Sequence, residues 1–281
     1  MDRVVAPSGS LLVFGGPYGN LEATMAVFDE ARRRPIPAQN VLCTGDLAAY
    51  CADPQPVIDL IRVSGIRTVM GNCEEALAAG AADCGCGYAE DSACAALAVG
   101  WYSYVDRHVD ADSRRWMAAL PRRIDVEIGR RRLAVVHGGV TSINRFVFAS
   151  GDQAIDEELD AAGCEGVIAG HCGLPFTIER GGRIWHNAGV IGMPANDGTS
   201  RVWFSVLTPS DDGVTIAHHA LSYDHQATAK RMRSCRLPEG YAAALESGLW
   251  PSCDVLPAVE LSARGRPIEP WRVFWKLRSH R

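Results

Sequence analysis

"LLVFGGPYGNLEA", residues 11–23, decides the fold class. A short apolar run reaches two glycines, and an amphipathic stretch then opens at Asn20, the pattern of a buried strand, a turn and a helix. The order repeats downstream. "NVLCTG" (40–45) leads to "PQPVIDLIRVSG" (54–65), and "RTVMGN" (67–72) leads to "CEEALAAGAA" (73–82). Strands alternating with helices predict a largely parallel sheet joined by crossover helices. The second half changes character: "RRIDVEIGRRRLAVVHGG" (122–139) reads as a hairpin turning at Gly129, and "DQAIDEELDAAG" (152–163) as a helix. "GVIAGH" (166–171) reads as a buried strand, while 175–189 and 201–224 read as hairpins turning at Gly-Gly and Asp-Asp-Gly. The residues alone therefore predict an α/β chain with two packed mixed sheets flanked by helices.

Length and composition set the class of protein. The 281 residues, 47% hydrophobic and 22% charged, suffice for a large core. A net charge of -5 argues against a general nucleic-acid or anionic-membrane binder, because those partners require a positive field. No basic leader with an apolar core opens the chain and no apolar run is long enough to span a bilayer, so a cytoplasmic protein is expected. Most of the ten cysteines are expected to be reduced core residues. The tail after about Ser252 reads as an extension across the domain, giving a division into 1–257 and 258–281. Oligomeric state stays open.

In open α/β sheets the ligand site lies beyond the carboxyl ends of the strands. The residues there are Gly16 and Tyr18, Asp46 in "TGD", Asn72 in "MGN", His137 in "VVHGG" and His171 in "AGHCG". One carboxylate, one carboxamide and two imidazoles, each just past an apolar run and beside glycine, form a plausible metal-ligand set.

These stretches resemble the calcineurin-like metallophosphoesterases, particularly their small bacterial phosphodiesterase-like branch. That family's motifs run D-x-H-G-N-L-E-A, G-D, G-N-H-D, H-G and G-H-T-H-x-P-F. Here "GPYGNLEA", "GDLAAY", "GNCEEAL", "HGG" and "GHCGLPF" stand in the same order, followed by "HNAGVIGMP". The resemblance spans residues 11–257 and implies a four-layer αββα sandwich with a two-metal site at the sheet edges. By resemblance Asp46 bridges the two metals, and Asn72, His137 and His171 complete the second position. The first position's Asp, His and second His correspond to Gly16, Tyr18 and Gly173 here, so its ligands are gone while the second set is intact. The histidine that often follows the asparagine as proton donor is Cys73.

The resemblance and the ligand count imply a metal-dependent phosphoesterase-like hydrolase of phosphomonoesters or phosphodiesters, with one divalent Mn, Zn or Fe per chain and reduced or redirected activity. Asp46, Asn72 and His137 would be its catalytic residues. Its partner would be a small phosphorylated substrate or a nucleotide. Two alternatives stay open. A non-catalytic nucleotide- or phosphate-binding or regulatory descendant would hold an anion on the backbone N–H groups of "GGPYGN", with Tyr18 stacking on a base or filling vacated volume. A mononuclear iron enzyme with non-hydrolytic chemistry would use Asp46, His137 and His171. Further candidates near the cleft are His186 in "IWHNAG", Cys172, and Cys84 and Cys86 in "DCGCGYAEDSAC" (83–94). The last pair is expected to be a packed turn rather than a metal site, because C-x-C lacks the usual zinc spacing.

Overall fold

The computed structural model describes residues 3–5 and 9–276. Its first half runs β1 (Arg3–Val5), β2 (Leu11–Phe14), α1 (Leu21–Arg33), β3 (Val41–Cys43), α2 (Pro54–Ser64), β4 (Arg67–Thr68), α3 (Asn72–Ala79), α4 (Ala93–His108) and α5 (Ala111–Ala118). The second half runs β5 (Ile124–Ile128), β6 (Arg131–Val135), α6 (Asp152–Ala162), β7 (Gly166–Ala169), β8 (Pro175–Arg180), β9 (Arg183–Ala188), β10 (Val202–Ser210), β11 (Gly213–Leu221), α7 (His225–Ser234), α8 (Glu239–Ser247), α9 (Ala258–Ser262) and β12 (Trp271–Lys276).

Two six-stranded mixed sheets form, in the orders β1-β5-β6-β7-β9-β8 and β12-β11-β10-β2-β3-β4. The three expected hairpins are present, with Ile128 facing Arg131, Arg180 facing Arg183, and Ser210 facing Gly213 across their turns. β2, β3 and β4 are parallel, as are β6 with β7 and β7 with β9. The stretch after Pro257 is woven into the fold: β12 pairs antiparallel with β11 as an edge strand. The end of the predicted tail, 277–281, lies outside the described residues.

Side-chain alternation explains why β2 reads as an unbroken apolar run. Leu11 and Val13 face the other sheet, whereas Leu12 and Phe14 face the helices, so both faces are buried. Between the sheets Leu42, Ile124, Val126, Leu133, Ile168 and Ile216 interdigitate with them. Each such fully buried side chain contributes roughly 1.5–3 kcal/mol. α1–α5, α7 and α8 cover the outer face of the second sheet, and Ile155 and Leu159 of α6 cover the first against Val167 and Trp185. The result is the four-layer αββα sandwich.

This packing brings the carboxyl ends of β2, β3, β4, β6 and β7 to one edge. The loop after β9 ties the two sheets together there: Gly15 N donates to Gly189 O (3.0 Å), and Ile191 N donates to Gly15 O (3.0 Å).

Candidate metal centre

Asp46 follows β3, Asn72 opens α3 after β4, His137 follows β6, and His171 follows β7. All four side chains are buried. The arrangement centres on one atom, His137 Nε2. It lies 3.2 Å from Asp46 Oδ2, 3.0 Å from Asn72 Oδ1 and 3.1 Å from His171 Nδ1. The other nitrogen of that ring, Nδ1, donates to the Thr44 carbonyl at 2.6 Å, which leaves Nε2 of the neutral imidazole with its lone pair facing the cluster. The Asn72 amide is oriented in turn, because its Nδ2 donates to the Cys84 carbonyl (2.8 Å) and so points its oxygen inward. Four atoms with lone pairs thus crowd together, an arrangement that repels itself unless a proton or a cation sits among them. Among the described residues, Asp46, His137 and His171 form the group of acidic, His or Cys side chains whose ligand atoms converge, all within 4.8 Å of one another.

The charges of these groups depend on one another. Burial pushes the Asp46 carboxyl up, but the facing His137 outweighs it and brings the pKa down to about 2. Burial pushes His137 down, and Asp46 overrides it, so the net shift is upward. Burial, then repulsion from His137, pushes His171 down to about 3 and keeps it neutral. His171 Nε2 is buried without a hydrogen-bond partner.

Backbone strain collects here. Tyr18, Asp46 and His171 adopt φ of 54°, 59° and 64°, a left-handed conformation that costs a non-glycine residue about 1–2 kcal/mol. Glu74 overdetermines the Asp46 turn. Its fully buried carboxyl accepts from Asp46 N (2.7 Å), Leu47 N (2.8 Å) and Gly71 N (2.9 Å), while Cys73 N donates to Asp46 Oδ1 (3.2 Å). Burial and the neighbouring Asp46 charge raise the Glu74 pKa to about 7. Sequence reasoning missed Glu74, although a glutamate at the third position of a helix that follows a glycine turn is a capping-box signal.

The remaining candidates offer no ligand atom to the cluster, although Cys86 Sγ accepts from Asn72 Nδ2 at 3.4 Å. His186 does not join it: Nδ1 pairs with Thr177 Oγ1 (2.8 Å) and Nε2 with Ser205 Oγ (2.7 Å), between the sheets. Cys84 and Cys86 are bonded to each other as a disulfide, so they offer no free thiolate; the turn that holds them presents a carbonyl to Asn72. The Cys73 thiol is buried, and burial with the Asp46 charge keeps it protonated. Cys172 lies against Asn187 Nδ2 (3.1 Å), and burial pushes its thiol up to about 12. The "GGPYGN" segment is not an anion cradle. Gly15, Gly16, Tyr18, Gly19 and Asn20 all donate their N–H groups to protein carbonyls.

The profile of the calcineurin-like phosphoesterase superfamily domain matches residues 18–210. The chain belongs to that superfamily. A calcineurin-like phosphoesterase typically binds divalent metals, and the Asp46–His137–His171 cluster is the candidate site here. An uncharacterized protein of Methanocaldococcus jannaschii is 23% identical over 245 residues, covering 82% of this chain and 94% of that protein. The crystal structure of a metallophosphoesterase from Sphaerobacter thermophilus superposes with a TM-score of 0.68 at 21% identity, over 86% of this chain and 100% of that one. A hypothetical protein from Pyrococcus horikoshii superposes with a TM-score of 0.71 at 16% identity, over 88% and 100%. These two similarities establish the shared fold.

Little room is left for further side chains around Gly16, Tyr18 and Gly173. A Cβ on Gly16, whose φ is +41°, would stand 2.5 Å from Cζ of Tyr18 and 2.7 Å from Val190 Cγ1, so the tyrosine ring takes the place of a side chain at 16. A Cβ on Gly173 would meet the Trp250 ring at 3.3 Å. Burial, with the Asp46 charge second, holds the Tyr18 phenol well above its ordinary pKa, so it is a hydroxyl and not an anionic ligand.

Proposed function

We propose that this calcineurin-like chain is a one-metal phosphoesterase: Asp46, Asn72, His137 and His171 hold a single divalent cation, and Tyr18 and Trp250 close the first-metal position. The convergence of three lone-pair atoms on His137 Nε2 carries this reading. Two imidazole nitrogens with carboxylate and amide oxygens suit Zn, Mn or ferrous iron. When bound there, such a cation lowers the pKa of a coordinated water toward ~7 and polarises a phosphoryl oxygen.

The chain's own residues supply the rest. Thr44 fixes the His137 tautomer, Glu74 pins the Asp46 turn, and the Cys84 carbonyl aims Asn72. Asn72 and His137 flank the reacting phosphoryl group, with Asn72 orienting it. The substrate is a small phosphomonoester or phosphodiester. Activity is reduced relative to a two-metal site, because only one cation offsets charge that two would share.

Metal-free protein reloaded with Mn²⁺ or Zn²⁺ and assayed on p-nitrophenyl phosphate and bis(p-nitrophenyl) phosphate tests this function. Turnover of at least one ester, stopped by chelator, is expected. A fully loaded protein that hydrolyses neither would instead be a binding descendant of the family. The cysteine turn is expected to act through its backbone, so the Cys84→Ser/Cys86→Ser variant should retain its metal in elemental analysis. A lost equivalent would place the sulfur atoms among the ligands.

A further inference from the structure

A cavity opens beside the His171 ring. Tyr18, Tyr88, Phe146, Met193 and Trp250 supply much of its wall, and no Asp, Glu, Lys or Arg lines it. The polar groups on these rings are largely spoken for. Tyr88 pairs with the Tyr50 hydroxyl at 2.9 Å, and the Trp250 indole N–H donates to the Pro194 carbonyl at 2.7 Å. Phe146 tilts against the His171 imidazole with centroids 4.2 Å apart. His171 also lines the cavity, and its buried Nε2 meets no protein partner.

Resting on the one-metal reading, we infer that this cavity is a specificity pocket for a single aromatic ring, or an apolar group of that size, carried by the phosphorylated substrate. Its volume is about 70 Å³. A wall with so few polar groups and no charged side chain suits a small apolar ring. Aromatic walls favour an aromatic guest through edge-to-face and offset contacts. His171 belongs both to the metal cluster and to the pocket wall, so the two adjoin through its ring.

The test compares phenylphosphonate with methylphosphonate, by calorimetric titration of the metal-loaded full chain. The ring should tighten binding about 10-fold or more, because its apolar surface leaves water. Val255, half-buried on the pocket wall and outside the metal cluster, provides a plug. Val255→Trp should bring the two affinities to within about 2-fold of each other while leaving methylphosphonate binding unchanged. Equal affinities in the unaltered protein, or a preference that survives Val255→Trp, would overturn the pocket while the metal reading stands. Failure of both phosphonates to bind loaded protein would overturn the phosphoesterase reading and the pocket with it.

Discussion

His171→Ala is expected to strip the metal from the protein and to abolish turnover while leaving the fold in place. Loss of an outer-shell partner alone weakens metal binding by about 10–100-fold, and loss of a direct ligand should exceed that. The fold should tolerate the change. His171 is neutral and buried with Nε2 unpartnered, so deleting the ring removes an uncompensated desolvation cost along with its contacts. The two effects offset, and metal-free stability is expected to change by less than about 2 kcal/mol. Elemental analysis, hydrolysis of a chromogenic ester and denaturant unfolding of the metal-free protein check the three parts separately. A variant that keeps its metal and its turnover would remove His171 from the site.

Gly16→Asp, which places a carboxylate where the family resemblance expects one, is expected to destabilise the protein by about 3 kcal/mol or more without adding a metal. The new Cβ falls within 2.5 Å of the Tyr18 ring and 2.7 Å of Val190, at a φ that disfavours any side chain. Tyr18→His in the same chain removes the phenol ring from that space, so the double variant should recover stability. The coupling between the two changes should be about 1–3 kcal/mol. Two variants and their combination, compared by urea unfolding, give this number. A Gly16→Asp protein destabilised by less than about 1 kcal/mol would show that Tyr18 does not occupy the vacated space.

Much of this was legible in the sequence because the site residues sit just beyond apolar runs. Asp46, Asn72, His137 and His171 each follow a strand within four residues, and parallel strands deliver such positions to one edge. His186 misled for a related reason. "IWHNAG" suggested a strand end, but β9 continues to Ala188, and alternation turns His186 inward with Ile184 and Ala188. There burial drives it down to about 3 and it bonds Thr177 and Ser205.

The rest depends on contacts distant in sequence. The residues at 16, 18 and 173 could be read, but the Tyr18 ring packs edge-on against Tyr50, with ring centroids 4.7 Å apart, a contact no local pattern shows. The proposed anion cradle failed because carbonyls of Gly45, Asp46 and Leu47, from the turn after β3, take its N–H groups. The pocket joins residues from both ends of the chain, Tyr18 through Trp250, and no local pattern announces that meeting. Glu74 was within reach, since its signal is local.

The most direct test of the one-metal account is elemental analysis of protein purified with neither added metal nor chelator, expressed as equivalents per chain. One equivalent, lost in His171→Ala, is the predicted result. Two equivalents would contradict the closure of the first position by Tyr18 and Trp250, and none, even after loading with Mn²⁺ or Zn²⁺, would contradict the metal centre itself.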